Sequence, residues 1–88
     1  MTLAEIKTVL RAGKYAWLGR YPLYFVASDG CALSFEAVRS EWRQVVLAHL
    51  HNFKHDEWYI SDVDINWEDP ELYCAHTDER IESAYADN

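Results

Sequence analysis

The strongest constraint on the fold is a tight-turn dipeptide, Asp29-Gly30, which separates two runs of strand-forming residues. Asp-Gly readily adopts the positive φ angles that a tight hairpin turn needs. Aromatic and aliphatic residues dominate both flanks, which predicts paired strands at about 22–28 and 31–35. Because the first strand is almost continuously apolar, we expect it to lie at the centre of the sheet and to be covered on both faces.

Two helical patterns flank this hairpin. Thr2 and Glu5 form a capping-box pattern before an apolar stripe that ends at Gly13, which predicts a first helix between them. Ser34 precedes a longer pattern that predicts a core helix over about 35–52. We expect His49 to be a hydrogen-bonded histidine on the apolar side of this helix. The full apolar stripe comprises Val38, Trp42, Val45, Val46, His49, Leu50 and Phe53.

The third strand is predicted over about 57–66, where β-forming residues alternate with aspartates. Ile60, Asp62 and Asp64 share one parity, so this face should turn from apolar to acidic, with both carboxylates in solvent. Asp69-Pro70 is a helix-start pattern sufficient for a turn or two. The stretch that begins at Thr77 is expected to be either a short docked helix or a partly frayed tail.

These elements predict a small α+β fold in the order α-β-β-α-β. The simplest arrangement is a three-stranded antiparallel or mixed sheet of order 2-1-3, with both helices on one face and the most apolar strand in the middle. The chain has 88 residues and no internal linker, so we expect one domain over 1–88, with 70–88 as an irregular C-terminal appendage.

Charge is distributed unevenly along the chain. Residues 1–44 contain six Lys or Arg and four Asp or Glu, whereas residues 45–88 contain two and eleven. The segment 56–71 contains seven carboxylates and no Lys or Arg. Such a surface repels nucleic acid and anionic membranes and attracts basic proteins, although acidic residues also keep small proteins soluble.

Aromatic residues accompany the carboxylates, a combination that suits Lys and Arg side chains through ion pairs and cation–π contacts. We therefore predict a non-enzymatic interaction protein, without a cofactor, that binds a basic protein surface. The predicted partner-binding residues are Asp56, Glu57, Asp62, Asp64, Trp67, Glu68, Asp69, Glu71 and Tyr73.

A basic stripe on the first helix leaves other interactions open. Lys7, Arg11 and Lys14 recur on one helix face, a pattern most often due to solvation alone. The stripe could also contact phosphate or the acidic half of a second copy, which would give a homodimer. We expect no direct nucleic-acid binding, because the net charge of −7 opposes contact with a polyanion.

Metal binding is the alternative function. The Asp62-x-Asp64-x-Asn66 spacing matches the start of an EF-hand, but Trp67 and Tyr73 stand where that loop needs Gly and Glu, so no calcium site is predicted. A small zinc-binding or regulatory module remains open. Its candidate ligands are Cys74, His76, Cys31, His51 and His55. No phosphate-binding loop or catalytic motif occurs, and we expect both cysteines to remain reduced thiols.

The C-terminal stretch DINWEDPELYCAHTDERIESAYAD, with KYAW, YPLYF and SDGCALSFEAVR upstream, resembles a group of short proteins of unknown function encoded by bacterial prophages and integrating mobile elements. The resemblance implies an anti-defence protein in the cytoplasm of a bacterial host. Proteins of this kind frequently occlude a host nuclease, or a CRISPR or restriction complex, and some do so by mimicking DNA. No membrane contact is expected, because no apolar run approaches the length of a membrane span and no leader pattern opens the chain.

Overall fold

A computed structural model describes residues 1–15 and 21–85, which form an α+β structure with a three-stranded antiparallel sheet of order β2-β1-β3. The predicted fold class and strand order are confirmed. The elements in chain order are α1 (Leu3–Ala12), β1 (Leu23–Ala27), β2 (Ala32–Leu33), α2 (Phe35–Ser40), α3 (Trp42–Leu50) and β3 (Ile60–Ile65).

Local signals in the sequence form as expected at three places. The Thr2 hydroxyl accepts the Glu5 N–H at 3.2 Å while the Glu5 carboxylate accepts the Thr2 N–H at 2.8 Å, so the capping box is complete. Ser34 accepts the Ala37 N–H at 3.1 Å and begins α2. Gly30 in the hairpin turn has a φ of +88°, a conformation that favours glycine. The expected positive φ at Asp29 is wrong, because the Ala27 N–H donates to the Cys31 carbonyl at 2.9 Å and closes a three-residue loop over 28–30 in which only Gly30 has a positive φ.

The predicted helix over 35–52 is wrong as a single element, because it breaks at Glu41 into α2 and α3. Glu41 departs from helical geometry with a φ of −108° and a ψ of 30°, although its N–H still donates to the Ala37 carbonyl at 3.0 Å. The Ser40 hydroxyl donates to the same carbonyl at 3.1 Å. The stripe also ends early: Leu50 and Phe53 are 68% and 53% exposed instead of buried. The left-handed φ of +56° at Asn52 carries the chain away from the core.

The helices and one face of the sheet share a single core. Phe25 of β1 stacks on Phe35 of α2 with ring centroids 4.6 Å apart, and Ile6 of α1 and Val45 of α3 are fully buried in the same cluster. This places the helices on one face of the sheet, as predicted. β1 is central but only half-covered on its second face, because its burial alternates along the strand.

A β-bulge in β3 corrects the predicted parity of that strand. Val26 pairs with Asp62 but the neighbouring Ala27 pairs with Ile60, so Ser61 is an extra residue opposite β1. The bulge turns Ile60 toward the core while Asp62 and Asp64 remain on the open face. The prediction that Ile60 shares a face with Asp62 and Asp64 is therefore wrong. The predicted solvent exposure of the two carboxylates is confirmed.

The C-terminal segment, residues 66–85, is ordered by turns and not by helices. The Asp69-Pro70 pattern forms a turn, and the residues around Thr77 form another, so no docked helix is present in this segment. Tyr73 and Arg80 form an isolated antiparallel bridge, and the Ile81 N–H donates to the Leu72 carbonyl at 2.7 Å. The remainder of the predicted tail, residues 86–88, lies outside the described residues.

Candidate functional site

Nearly all carboxylates of the acidic segment, residues 56–71, are exposed to solvent, and none forms a salt bridge with another described residue. All are exposed except Asp56, which is half-buried. Two ion pairs occur within residues 1–15 and 21–85, Lys14 with Glu36 and His76 with Glu41, both at 3.5 Å, and neither uses a carboxylate of the acidic segment. Two cations lie nearby without forming a salt bridge to these carboxylates: Arg80 donates to the Pro70 carbonyl, and the N-terminal ammonium contacts the Ser61 carbonyl. Because seven carboxylates face two such groups in the described part of the chain, the surface keeps a net attraction for a basic partner.

Asp62 and Asp64 carry their carboxylates on the outer strand of the sheet, and each also bonds to the backbone. The Asn66 backbone N–H donates to the Pro22 carbonyl, immediately before β1. In an antiparallel ladder, N–H groups point alternately toward and away from the paired strand. The N–H groups of Val63 and Ile65 therefore point away from β1, to the free edge of β3. Asp62 accepts the Val63 N–H and Asp64 accepts the Ile65 N–H, both at 2.8 Å. The two aspartates therefore satisfy edge amides that β1 cannot reach.

Tyr24 also belongs to the acidic surface, on the open face of the sheet, although no sequence pattern identifies it. Tyr24 pairs with Asp64 across the two strands. Burial raises the pKa of the Tyr24 hydroxyl, and the charges of Asp64 and Asp69 raise it further. Tyr24 is therefore a neutral hydrogen-bond donor beside two carboxylates. Because neighbouring residues of a strand point to opposite faces, the burial of Phe25 indicates that Tyr24 lies on the open face. Its position beside Asp64 follows only from the register between β1 and β3.

Trp67 lies at the surface in an aromatic group with Tyr21 and Tyr85. Its ring centroid is 4.6 Å from that of Tyr21 and 6.1 Å from that of Tyr85, and its ring plane is within 13° of the Tyr85 plane. A hydrogen bond to Tyr21 favours the protonated Tyr85 hydroxyl and raises its pKa. Trp67 remains 44% exposed, so the group offers a supported aromatic surface next to Glu68.

The other aromatic residues near the acidic segment have different roles. Tyr73 is half-exposed, as a contact residue should be. Trp58 is 7% exposed, and its ring meets the edge of His76 with centroids 5.0 Å apart. Tyr59 stacks on His49 at 4.3 Å. Trp58 is therefore a core residue, so the aromatic component of the surface consists of Trp67 with its neighbours Tyr21 and Tyr85, together with Tyr24 and Tyr73.

Asn66 holds the aromatic group and the acidic turn in place. Its side-chain amide donates to the carbonyls of Asp69, Ile81 and Glu82, each at 3.1 Å, while its Oδ1 accepts the Asp69 N–H at 3.2 Å. Its own carbonyl accepts the Ala84 N–H at 2.8 Å. Asn66 is 3% exposed. The residue that resembled a calcium ligand is therefore a buried hydrogen-bonding centre for residues 66–85.

The candidate zinc ligands are not brought together. Cys74 is fully buried, and its Sγ accepts the Ser34 N–H at 3.3 Å. Burial raises the pKa of this thiol, but hydrogen bonds from Thr77 and Ser34 outweigh burial and hold it below its ordinary value. His51 stacks on Phe53 beyond the end of α3. Residues 1–15 and 21–85 contain no group of three or more His, Cys, Asp or Glu side chains placed to hold a metal ion.

Cys31 and His76 line the same small pocket of about 100 Å³ beside the hairpin turn. Asp29 and Glu57 line the same pocket. The hydrogen bond to Asp29 and the charges of Asp29 and Glu57 raise the pKa of the exposed Cys31 thiol. Cys31 is consequently a protonated, weakly nucleophilic thiol, and both cysteines are free.

His49 is confirmed as a hydrogen-bonded histidine. Its Nε2 accepts the Ile60 N–H at 3.0 Å, which requires the neutral ring. Burial lowers the pKa of His49, and the N-terminal ammonium group lowers it further. That ammonium lies 3.4 Å from the Ile60 carbonyl and 3.3 Å from the Ser61 carbonyl, so it also anchors the N-terminus to the bulge of β3.

Comparison with known protein families, with curated proteins and with solved structures finds no match to this chain. Within the part of the chain that the structure describes, no helix has the length and apolar character needed to cross a bilayer.

Proposed function

We propose that this protein is a non-enzymatic inhibitor, encoded by a bacterial prophage or mobile element, that binds a basic surface of a host protein in the cytoplasm. The observation that carries the proposal is the run of carboxylates along residues 56–71, nearly all exposed, none of which forms a salt bridge with another described residue. A host nuclease, or a nucleic-acid-binding subunit of a defence complex, has the complementary positive surface. The acidic surface then competes with the nucleic acid for that site.

The arrangement of the surface supports a specific contact over general solvation. Asp62 and Asp64 are fixed by bonds to the strand that carries them, and Asp69 accepts the Glu71 N–H at 2.9 Å. Carboxylates held in place lose less conformational entropy on binding than freely rotating ones. Trp67 adds an exposed aromatic side chain, the residue type most enriched among strong interface contacts.

The test compares two neutralised variants of equal charge change. D62N/D64N/E68Q/D69N removes carboxylates from the acidic surface, and the asparagines keep an oxygen for each backbone N–H. D29N/E36Q/D78N/E79Q is the control, because it removes as many carboxylates elsewhere. Tagged wild-type protein and both variants are used to capture proteins from bacterial lysate, and each captured protein is then purified and titrated.

We expect wild type and the control variant to capture the same basic nucleic-acid-binding protein, and the acidic-surface variant to lose it. Binding of the purified partner should fall sharply at about 1 M salt, where the Debye length is about 3 Å, and duplex DNA should compete for the partner. Equal capture by both variants, or binding that salt does not weaken, would contradict the proposal.

The aromatic contribution is tested separately with Trp67→Ala and Trp67→Phe. If Trp67 lies at the centre of the contact, the alanine variant loses about 2 kcal/mol of binding free energy and the phenylalanine variant less. Partner titration by calorimetry measures both, and unchanged affinity for Trp67→Ala would remove the aromatic group from the proposed interface.

A further inference from the structure

The opposite side of the molecule carries a basic groove, defined by Lys7, Leu10, Arg11, Arg39 and Trp42. It lies between α1 and the α2–α3 pair and has a volume of about 350 Å³. The two cations from α1 are one helical turn apart, and Arg39 joins them from a distant part of the chain. Lys14, the third member of the predicted basic stripe, pairs instead with Glu36.

Among residues 1–15 and 21–85, no carboxylate lines the groove, although acidic residues outnumber basic ones by fifteen to eight in the sequence. Neither ion pair found in the described ranges uses Lys7, Arg11 or Arg39. Like charges one turn apart on a helix repel each other, so Lys7 and Arg11 carry a small cost to folding. An anionic ligand bound in the groove would remove that repulsion.

Arg39 has a structural role that also fixes its position. Its Nη2 donates to the Leu10 carbonyl at 2.7 Å, near the C-terminus of α1, where cations interact favourably with the helix dipole. Its guanidinium carbon lies 5.9 Å from the centre of the Phe35 ring. A positioned guanidinium with further N–H donors is better prepared for a carboxylate than a freely rotating one.

Between the cations, the groove is apolar. The half-buried side chains of Leu10 and Trp42 line it together with the cations. A ligand that fits must therefore present negative charges around at least one apolar group. A strip of phosphates has no apolar group for Leu10, and a nucleic acid would also meet the net charge of −7.

We propose that the basic groove binds an acidic peptide segment of a partner protein, with carboxylates at Lys7, Arg11 and Arg39 and an aliphatic side chain against Trp42. This site is separate from the acidic surface and does not depend on the function proposed for it. The protein would thus contact a basic protein with one side and an acidic segment with the other.

The test is an NMR titration of the full chain with a short capped peptide of alternating glutamate and leucine. The matched control peptide has glutamine in place of glutamate. We expect saturable shifts at the Trp42 indole N–H and at the amides of Lys7 and Arg11, and about tenfold weaker binding by K7Q/R11Q, which removes two exposed ion pairs. K14Q/K54Q removes as many cations outside the groove and should stay within about twofold of wild type.

Several results would overturn the proposal. Equal binding of the glutamine peptide, equal weakening by both variants, or no saturable shift at millimolar peptide would each do so. Tighter binding of duplex DNA, or of vesicles that contain phosphatidylserine, at the same resonances would assign the groove to phosphates. Shifts that grow with protein concentration in the absence of peptide would assign it to a second copy of this chain. Unaltered amide spectra of both variants ensure that lost binding is not lost folding.

Discussion

The sheet with its helices and the C-terminal segment are stabilised by different means. In the first region, fully buried apolar side chains such as Phe25 and Val38 pack into one core. In the segment 66–85, Cys74 and Ile81 reach the same core, and the rest of the chain is held by backbone hydrogen bonds and by the side-chain bonds that meet at Asn66. Apolar packing dominates the first region, whereas hydrogen bonds, several of them made by one side chain, dominate the second.

This difference bears on function because the acidic surface spans both regions. Asp62 and Asp64 belong to the sheet, whereas Trp67, Glu68 and Asp69 belong to the segment around Asn66. One part of the surface therefore rests on the sheet, and the other rests largely on the hydrogen bonds around Asn66. Substitutions in the core and at Asn66 should affect the two parts differently.

The largest expected effect is a loss of global stability in Phe25→Ala. The ring is fully buried and stacked on Phe35, so its removal leaves a cavity and should cost about 3–5 kcal/mol. Denaturant unfolding followed by circular dichroism measures the loss. Phe25→Leu is the control and should lose clearly less. An alanine variant as stable as wild type would show that this ring is not central to the core.

Asn66→Ala should lower the free energy of unfolding by about 2–3 kcal/mol, because the carbonyls that accept hydrogen bonds from its side-chain amide lose their donor. The effect should be local as well: hydrogen exchange should accelerate at Ile81, Ala84 and Tyr85 more than at β1. Asn66→Asp keeps the acceptor but removes the donors, and should behave like the alanine variant. Uniform acceleration across the sheet would contradict the separation between the two regions.

Ser34→Ala should lose about 1 kcal/mol of unfolding free energy, because the N-cap of α2 disappears. Ser34 also joins the two regions, since its N–H donates to the Cys74 thiol. That backbone bond is retained in the variant, so the C-terminal segment should keep its hydrogen-exchange protection. Ser34→Thr restores a capping hydroxyl and should recover most of the stability, and a failure to do so would argue against the cap.

The smallest expected effect is a pH dependence from His49. Its pKa is lowered in the folded protein, so the neutral ring is favoured there and the unfolded chain binds the proton more readily. This contribution to stability is complete above about pH 6.5 and is lost as the pH falls through the folded-state pKa. His49→Gln does not titrate, so its unfolding free energy should fall less than that of wild type between about pH 7 and pH 5. Parallel pH profiles would contradict the assignment.

The sequence predicts those parts of the structure that depend on local patterns. The Thr2 and Ser34 caps, the Asp29-Gly30 turn and the central position of β1 all follow from short-range signals. The exposure of the carboxylates of the acidic segment follows from their charge, because an unpaired charge is rarely buried.

The features that the sequence does not predict depend on contacts between distant residues. The bulge at Ser61 is visible only from the register with β1, and no local sequence pattern marks the non-helical backbone at Glu41 that divides α2 from α3. The bonding of Asn66 requires partners fifteen and sixteen residues away. The basic groove likewise needs α2 beside α1 before Arg39 can join Lys7 and Arg11.

The aspartates on β3 have a consequence for how this protein behaves at high concentration. An exposed strand edge can add the strand of another molecule and so begin ordered aggregation. Here the outward amides of Val63 and Ile65 are already occupied by acceptors, and those acceptors repel an approaching copy of the same edge. Replacement by alanine would remove both protections at once. The same two positions therefore limit the evolution of the surface: a side chain selected for a new partner must still cap its neighbouring amide.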